Sequence, residues 1–212
     1  KDFEKGGSKL QKLKRFDGII VPGGFGESGI EGKINVIKYC REKKIPYLGL
    51  CYGMQLLTLE YARNVAKIEN AHTAEIMPTS PNLVIDIMPD QKQKIKDKDY
   101  GGSMRLGVYP CIVKKGTVAY DAYKKNTKGS KGEDFLISER HRHRYEVNPD
   151  YVELLKKSWL TISWINPEHD LVEFIELGDH PFFAATQAHP EFKSRLDRPH
   201  PLFYGFVWAC KN

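Results

Sequence analysis

The chain has 212 residues, 41% of them hydrophobic and 11% aromatic, which suffices for one well-buried domain of ordinary size. Its 33 basic and 27 acidic residues leave a net charge of +6, carried largely by the lysine-rich stretches QKQKIKDK (91–98) and YKKNTKGSKG (123–132); these read as solvated loops and not as a nucleic-acid surface. No apolar run of about eighteen residues is present to cross a membrane, residues 1–15 do not read as a leader, and four scattered cysteines exclude a disulfide framework and fit a reducing, cytoplasmic setting.

Residues 1–15 are expected to be a helix or linker remnant, and residues 16–212 one catalytic domain. FDGIIVPGG reads as a short buried strand over 18–21, stopped by Pro22 and two glycines. EGKINVIKYCREKK (31–44) carries apolar residues at helical spacing, IPYLGL (45–50) is a strand, and YGMQLLTLEYARNVA (52–66) a helix. Such alternation predicts an α/β fold with a doubly wound, mostly parallel sheet flanked by helices. From residue 82 the character changes. NLVIDIM, RLGVYPCIV, SWLTISWI, DLVEFIEL and FFAATQA are β-rich runs that predict an added antiparallel region, and among them only DYVELLKKS (150–158) reads as helical. PLFYGFVWACK (201–211) is predicted to be a closing helix with proline at its start. An α/β sheet rarely opens on its central strand, so one or two strands, and a further domain, are expected before Lys1.

Gly49-Leu50-Cys51-Tyr52-Gly53 has the form of a nucleophile elbow with cysteine in place of serine. Glycines two residues to either side relieve crowding at a tight strand-to-helix turn, and the helix N-terminus behind Cys51 favours the reactive thiolate. A cysteine nucleophile needs a base and an orienting group, which ATQAHPEF (185–192) supplies as His189 and Glu191. VPGGFG (21–26) offers Gly24 as an oxyanion donor beside the N–H of Tyr52. GFGESG (24–29) also fits G-x-G-x-x-G, but Pro22 before it and the lack of a following strand ending in an acid argue against a dinucleotide site. Taken alone, Cys51 could be a packed structural thiol, HPE a surface turn, Glu75 a surface acid, and RHRHR (140–144) an alternating strand with one basic face or a phosphate patch. His141 and His143 lack a third ligand at metal-site spacing, so no metal is expected.

Together PGGFG, GLCYGMQ and HPEF resemble the class I glutamine amidotransferase family, whose fold is flavodoxin-like. GGSMRLG (101–107), ERHRHRYEVN (139–148) and HPEFKSRLDRPHPLF (189–203) are similar to the CTP synthase branch of that family, from about Phe16 to the C-terminus. The resemblance implies a triad of Cys51, His189 and Glu191, and glutamine contacts at Gly24, at Tyr52, Gly53, Met54 and Gln55, at Glu75 and at Arg144. By charge, Glu75 would take the ammonium of free glutamine and Arg144 its carboxylate. It further implies no cofactor in this domain, and a synthase domain of the same polypeptide that uses ATP, Mg2+ and UTP, with GTP as allosteric activator, in a homotetramer without nucleic-acid or membrane partners. GGSMRLG is expected to close over the site as a lid. Three departures stand out: tyrosine at position 52 where the family usually has leucine, lysine-rich insertions at 91–99 and 124–131, and no phosphate-binding G-x-x-x-x-G-K-[ST] for the synthase half. The rivals are another amidotransferase or γ-glutamyl or cysteine hydrolase of the same fold, and a catalytically dead binding module.

Overall fold

A computed structural model describes residues 2–87, 104–124, 133–166 and 170–211. A 3-10 helix (Gly7–Arg15) leads into β1 (Ile19–Val21), α1 (Ile30–Lys43), β2 (Tyr47–Leu50) and α2 (Tyr52–Asn64). Then follow β3 (Ala71–Thr73), β4 (Asn82–Ile87), β5 (Arg105–Val113), α3 (Val118–Lys124), β6 (Phe135–His143), β7 (Tyr145–Val147) and α4 (Pro149–Lys157). The chain closes with β8 (Thr161–Ile165), β9 (Val172–Glu176), β10 (Phe183–Thr186), a short 3-10 turn (Pro190–Phe192) and α5 (Pro201–Lys211). The lysine-rich stretches predicted as loops lie, apart from Tyr123, Lys124 and the ends of their flanks, outside the described residues, as do Gly101 to Ser103 of the predicted lid.

Seven strands form one mixed sheet in the order β1-β2-β10-β9-β8-β5-β6, beside a small sheet β3-β4-β7. β1, β2 and β10 run parallel, and the antiparallel region predicted from the middle of the sequence continues the same sheet through β9, β8, β5 and β6. Side chains alternate between faces along each strand. Tyr47, Phe183 and Ala185 join the core under α1 and α2, while Leu48, Leu50 and Ala184 meet Phe182 and Phe206 of α5 on the other side. Helix α2 is buried from Tyr52 through Ala62, and its buried polar residues are paired: Glu60 with Arg41, Gln55 with Tyr145 O, and Thr58 with Met54 O. α4 starts as its sequence dictates, with Pro149 in its first turn and the Asn148 side chain accepting a hydrogen bond from Asp150 N–H.

One expectation is corrected. Among the middle elements α3 is also helical, over VAYDAYK. Its first N–H groups are satisfied from a distance, since the Glu176 carboxylate on β9 accepts from Val118 N at 2.8 Å and Ala119 N at 3.1 Å. Ala119, Tyr120, Ala122 and Tyr123 are then buried, which offsets the weakness of a seven-residue helix.

Candidate active site

Parallel pairing of β2 with β10 sets Leu50 opposite Thr186, so the residues just past both strands stand side by side. On β2 that residue is Cys51, which caps α2 with φ 48° and ψ −99°, a backbone conformation L-residues rarely hold. Its N–H is tied to Thr186 O at 2.7 Å. A Cβ on Gly49 would lie 2.9 Å from the Ala185 Cβ and from the Gly53 backbone, and one on Gly53 would lie 2.2 Å from Val21 O. The turn therefore closes only with glycine on both sides, the steric reason expected for an elbow.

His189 reaches Cys51 from the far end of the chain. A Cβ on Gly23 would stand 2.8 Å from His189 Cε1 and 3.7 Å from Cys51 Cβ, so the imidazole and the cysteine meet at that glycine. The imidazole Nδ1–H donates to Glu191 Oε1 at 2.6 Å, and His189 N–H donates to Arg140 O at 2.8 Å. Nε2 is buried with no well-formed hydrogen bond among the described residues. Burial disfavours the imidazolium, but the nearby Cys51 sulfur and the Glu191 carboxylate outweigh it and raise the group to about 10. Burial likewise opposes the Glu191 carboxylate, yet its bond to His189 leaves it below the usual carboxylate range.

A cleft of about 570 Å³ opens over this pair, lined by Gly24, Gln55, Glu75 and Arg144 along with Cys51 and His189. Phe25, Met104, Arg142, His143 and Tyr145 complete the wall. Of the other residues predicted to touch glutamine, Tyr52, Gly53 and Met54 do not line the cleft: Gly53 packs on Val21, and Met54 is fully buried in the core. Tyr52, the departure from leucine, props the glycine loop instead. Its hydroxyl donates to Gly26 O at 2.5 Å, and its ring lies where a Gly24 side chain would make ordinary contact. Glu75 holds the same loop, one oxygen accepting from Gly26 N at 2.8 Å.

RHRHR resolves into the alternating strand. Arg140 and Arg142 face solvent, while His141 and His143 are buried and linked Nδ1 to Nε2 at 2.9 Å. Burial, reinforced by the Arg105 charge, drives His141 down to about 3, and His143 falls well below its ordinary range as well, so both are neutral. Behind them Arg105 bridges Glu146 at 3.2 Å and Glu173 at 2.7 Å. Among the described residues no group of three or more His, Cys, Asp or Glu is arranged to hold a metal. One residue beside the sulfur escaped the sequence reading: Gln187 Nε2 lies 3.7 Å from Cys51 Sγ.

A strained cysteine elbow, an imidazole held by a carboxylate and a cleft with one acid and several cations are the parts that a cysteine-dependent hydrolase assembles. The family model for class-I glutamine amidotransferases matches residues 3–209, and the chain belongs to that family. Within it, the chain is similar to CTP synthases: 58% identical over 200 residues to that of Caldanaerobacter subterraneus, covering 94% of this chain and 35% of the relative. To the CTP synthase of Pyrococcus horikoshii it is 51% identical over 212 residues, covering all of this chain and 37% of that protein. Among solved structures, the glutaminase domain of Trypanosoma brucei CTP synthase with bound acivicin superposes with a TM-score of 0.86 at 33% identity, covering 99% of this chain and 78% of that one. The chain spans about a third of the length of the curated CTP synthases it matches. Among the described residues no helix is long and apolar enough to cross a membrane.

Proposed function

We propose that this chain hydrolyses L-glutamine to glutamate and ammonia, with Cys51 as nucleophile, His189 as general base and acid, and Glu191 as the group that orients His189. The meeting of Cys51 and His189 at Gly23, with Nδ1 held by Glu191 at 2.6 Å, is the observation that carries this reading. In the first half-reaction the Cys51 thiolate, paired with the His189 imidazolium, attacks the side-chain amide carbon. The oxyanion is held by the Gly24 N–H and by Tyr52 N–H in the first turn of α2, where N–H groups lack intrahelical partners. The C–N bond then breaks, His189 protonates the leaving nitrogen, and ammonia departs from a glutamyl thioester. In the second half His189 takes a proton from water, hydroxide adds to the thioester carbon, and the C–S bond breaks to release glutamate and the thiolate. Glu75 would receive the α-ammonium and Arg144 the α-carboxylate, both lining the cleft.

The relatives are named CTP synthases and are longer than this chain, which supports a reading in which the released ammonia serves the ATP-dependent amination of UTP to CTP by a synthase domain of a longer polypeptide. ATP, Mg2+ and UTP there, GTP as activator, a homotetramer and a cytoplasmic setting belong to the same proposal. The test is covalent labelling. Diazo-oxo-norleucine, a glutamine-like electrophile, is expected to modify Cys51 alone, with free glutamine protecting. Labelling elsewhere, or protection by γ-glutamyl peptides and not by glutamine, would overturn the reading. Acivicin in the trypanosomal glutaminase domain supports a site for amino-acid electrophiles of this shape.

A further inference from the structure

Gln187 follows β10 as Cys51 follows β2, and the parallel register makes the two residues neighbours. It is fully buried, and its backbone N–H is fixed by Glu173 O at 2.9 Å. A buried side-chain amide must place both its donor and its acceptor. The partners here dictate which end is which. Gln55 Nε2 donates to Tyr145 O at 3.0 Å, so this nitrogen is the face Gln55 presents, and it meets Gln187 Oε1 at 3.5 Å. That leaves Gln187 Nε2 towards Cys51 Sγ at 3.7 Å, within the range of hydrogen bonds to sulfur. Gln187 and His189 thus both stand beside Cys51, the one by its amide and the other by its imidazole.

We propose that Gln187 is a catalytic residue of the elbow, whose amide N–H donates to the Cys51 sulfur and holds it as the thiolate, its orientation being set by the Tyr145–Gln55 pair. This rests on Cys51 being the nucleophile. The donor would serve twice, once when the thiolate forms before attack and again when it is expelled from the thioester, since in both the sulfur carries the charge that an N–H stabilises.

The variants are Gln187→Met, which keeps length and removes the donor, and Gln187→Glu, which puts a carboxylate where the donor stood. Iodoacetamide alkylation of Cys51 is followed by mass spectrometry across pH. The buried Cys40 thiol, raised to about 12 by desolvation, stays silent. Gln187→Met is expected to slow alkylation near neutral pH about ten-fold, the size of one hydrogen bond to a charged group. The profile should move up by about one pH unit and rejoin the parent at high pH, with kcat for glutamine falling and KM held. Gln187→Glu should move it further. A profile unchanged in either folded variant, or a loss uniform across pH, overturns the proposal. Cys51→Ala run beside them separates the two readings: if it still hydrolyses glutamine, the nucleophile assignment has failed; if it is inactive while the Gln187 variants keep the parent profile, only the role of Gln187 has.

Discussion

A side-chain carbon on Gly53 would stand 2.2 Å from the carbonyl oxygen of Val21, so helix α2 rests on β1 backbone to backbone. Gly53→Ala must push the two apart, and we expect a loss of about 3 kcal/mol, the upper end for overpacking. At Gly24 a Cβ would meet only the Tyr52 ring at 3.6 Å, an ordinary contact. Gly24→Ala should therefore stay within about 0.5 kcal/mol in stability. Urea denaturation of both variants checks the pair, and equal midpoints would contradict the elbow geometry.

Tyr52 ties the first turn of α2 to the PGGFG loop through its bond to Gly26 O. Tyr52→Phe removes the hydroxyl alone and should cost about 1 kcal/mol. Because that loop also borders the cleft, KM for glutamine should rise more than kcat falls. Steady-state kinetics on the folded variant decides it, and an effect on kcat alone would count against this role.

Glu191 and His189 stabilise each other's charged forms, and the sign of that contribution fixes its pH window. The histidine is raised from 6.5 to about 10, so its share is full below 6.5 and is lost as pH rises through about 10. The carboxylate is lowered from 4.5, so its share is present above 4.5 and is lost as pH falls through its folded value. The stability difference between the parent and Glu191→Gln should be largest between 4.5 and 6.5 and shrink towards pH 10. Denaturant titrations across that range measure it, and a difference that grows with pH would refute the pairing.

Glu146 behaves in the opposite chemical sense. Burial raises its carboxyl from 4.5 to about 8, although Arg105 at 3.2 Å opposes the shift. A raised carboxyl contributes stability that is full below 4.5 and lost as pH climbs through about 8. Glu146→Gln should flatten that fall while Glu173 keeps its 2.7 Å bond to Arg105. Unfolding free energies measured from about pH 5 to about pH 9 provide the check, a persistent slope in the variant being the contrary outcome.

Local patterns carried much of this architecture in the sequence. Apolar runs bounded by proline and glycine marked β1 and β2, DYVELLKKS marked α4, and two glycines around Cys51 marked the elbow. Features made by distant partners were not legible. α3 depends on a carboxylate lent by Glu176, 57 or 58 residues away. The inward histidines and outward arginines of β6 follow from which face packs against Arg105 and Glu173, which alternation cannot decide. The family resemblance suggested Glu75 as a ligand, but not that one of its oxygens already holds Gly26 N. Gln187 went unnoticed because a neutral amide carries no signal until the register of β10 and β2 places it against sulfur.

Ammonia release from glutamine by Cys51→Ala, in the longest polypeptide that carries this chain, tests the central claim most directly. Hydrolysis should vanish while the variant stays folded and any CTP formation from added ammonia persists. Glutamine hydrolysis at the parent rate in that variant would contradict the assignment of Cys51 as the nucleophile.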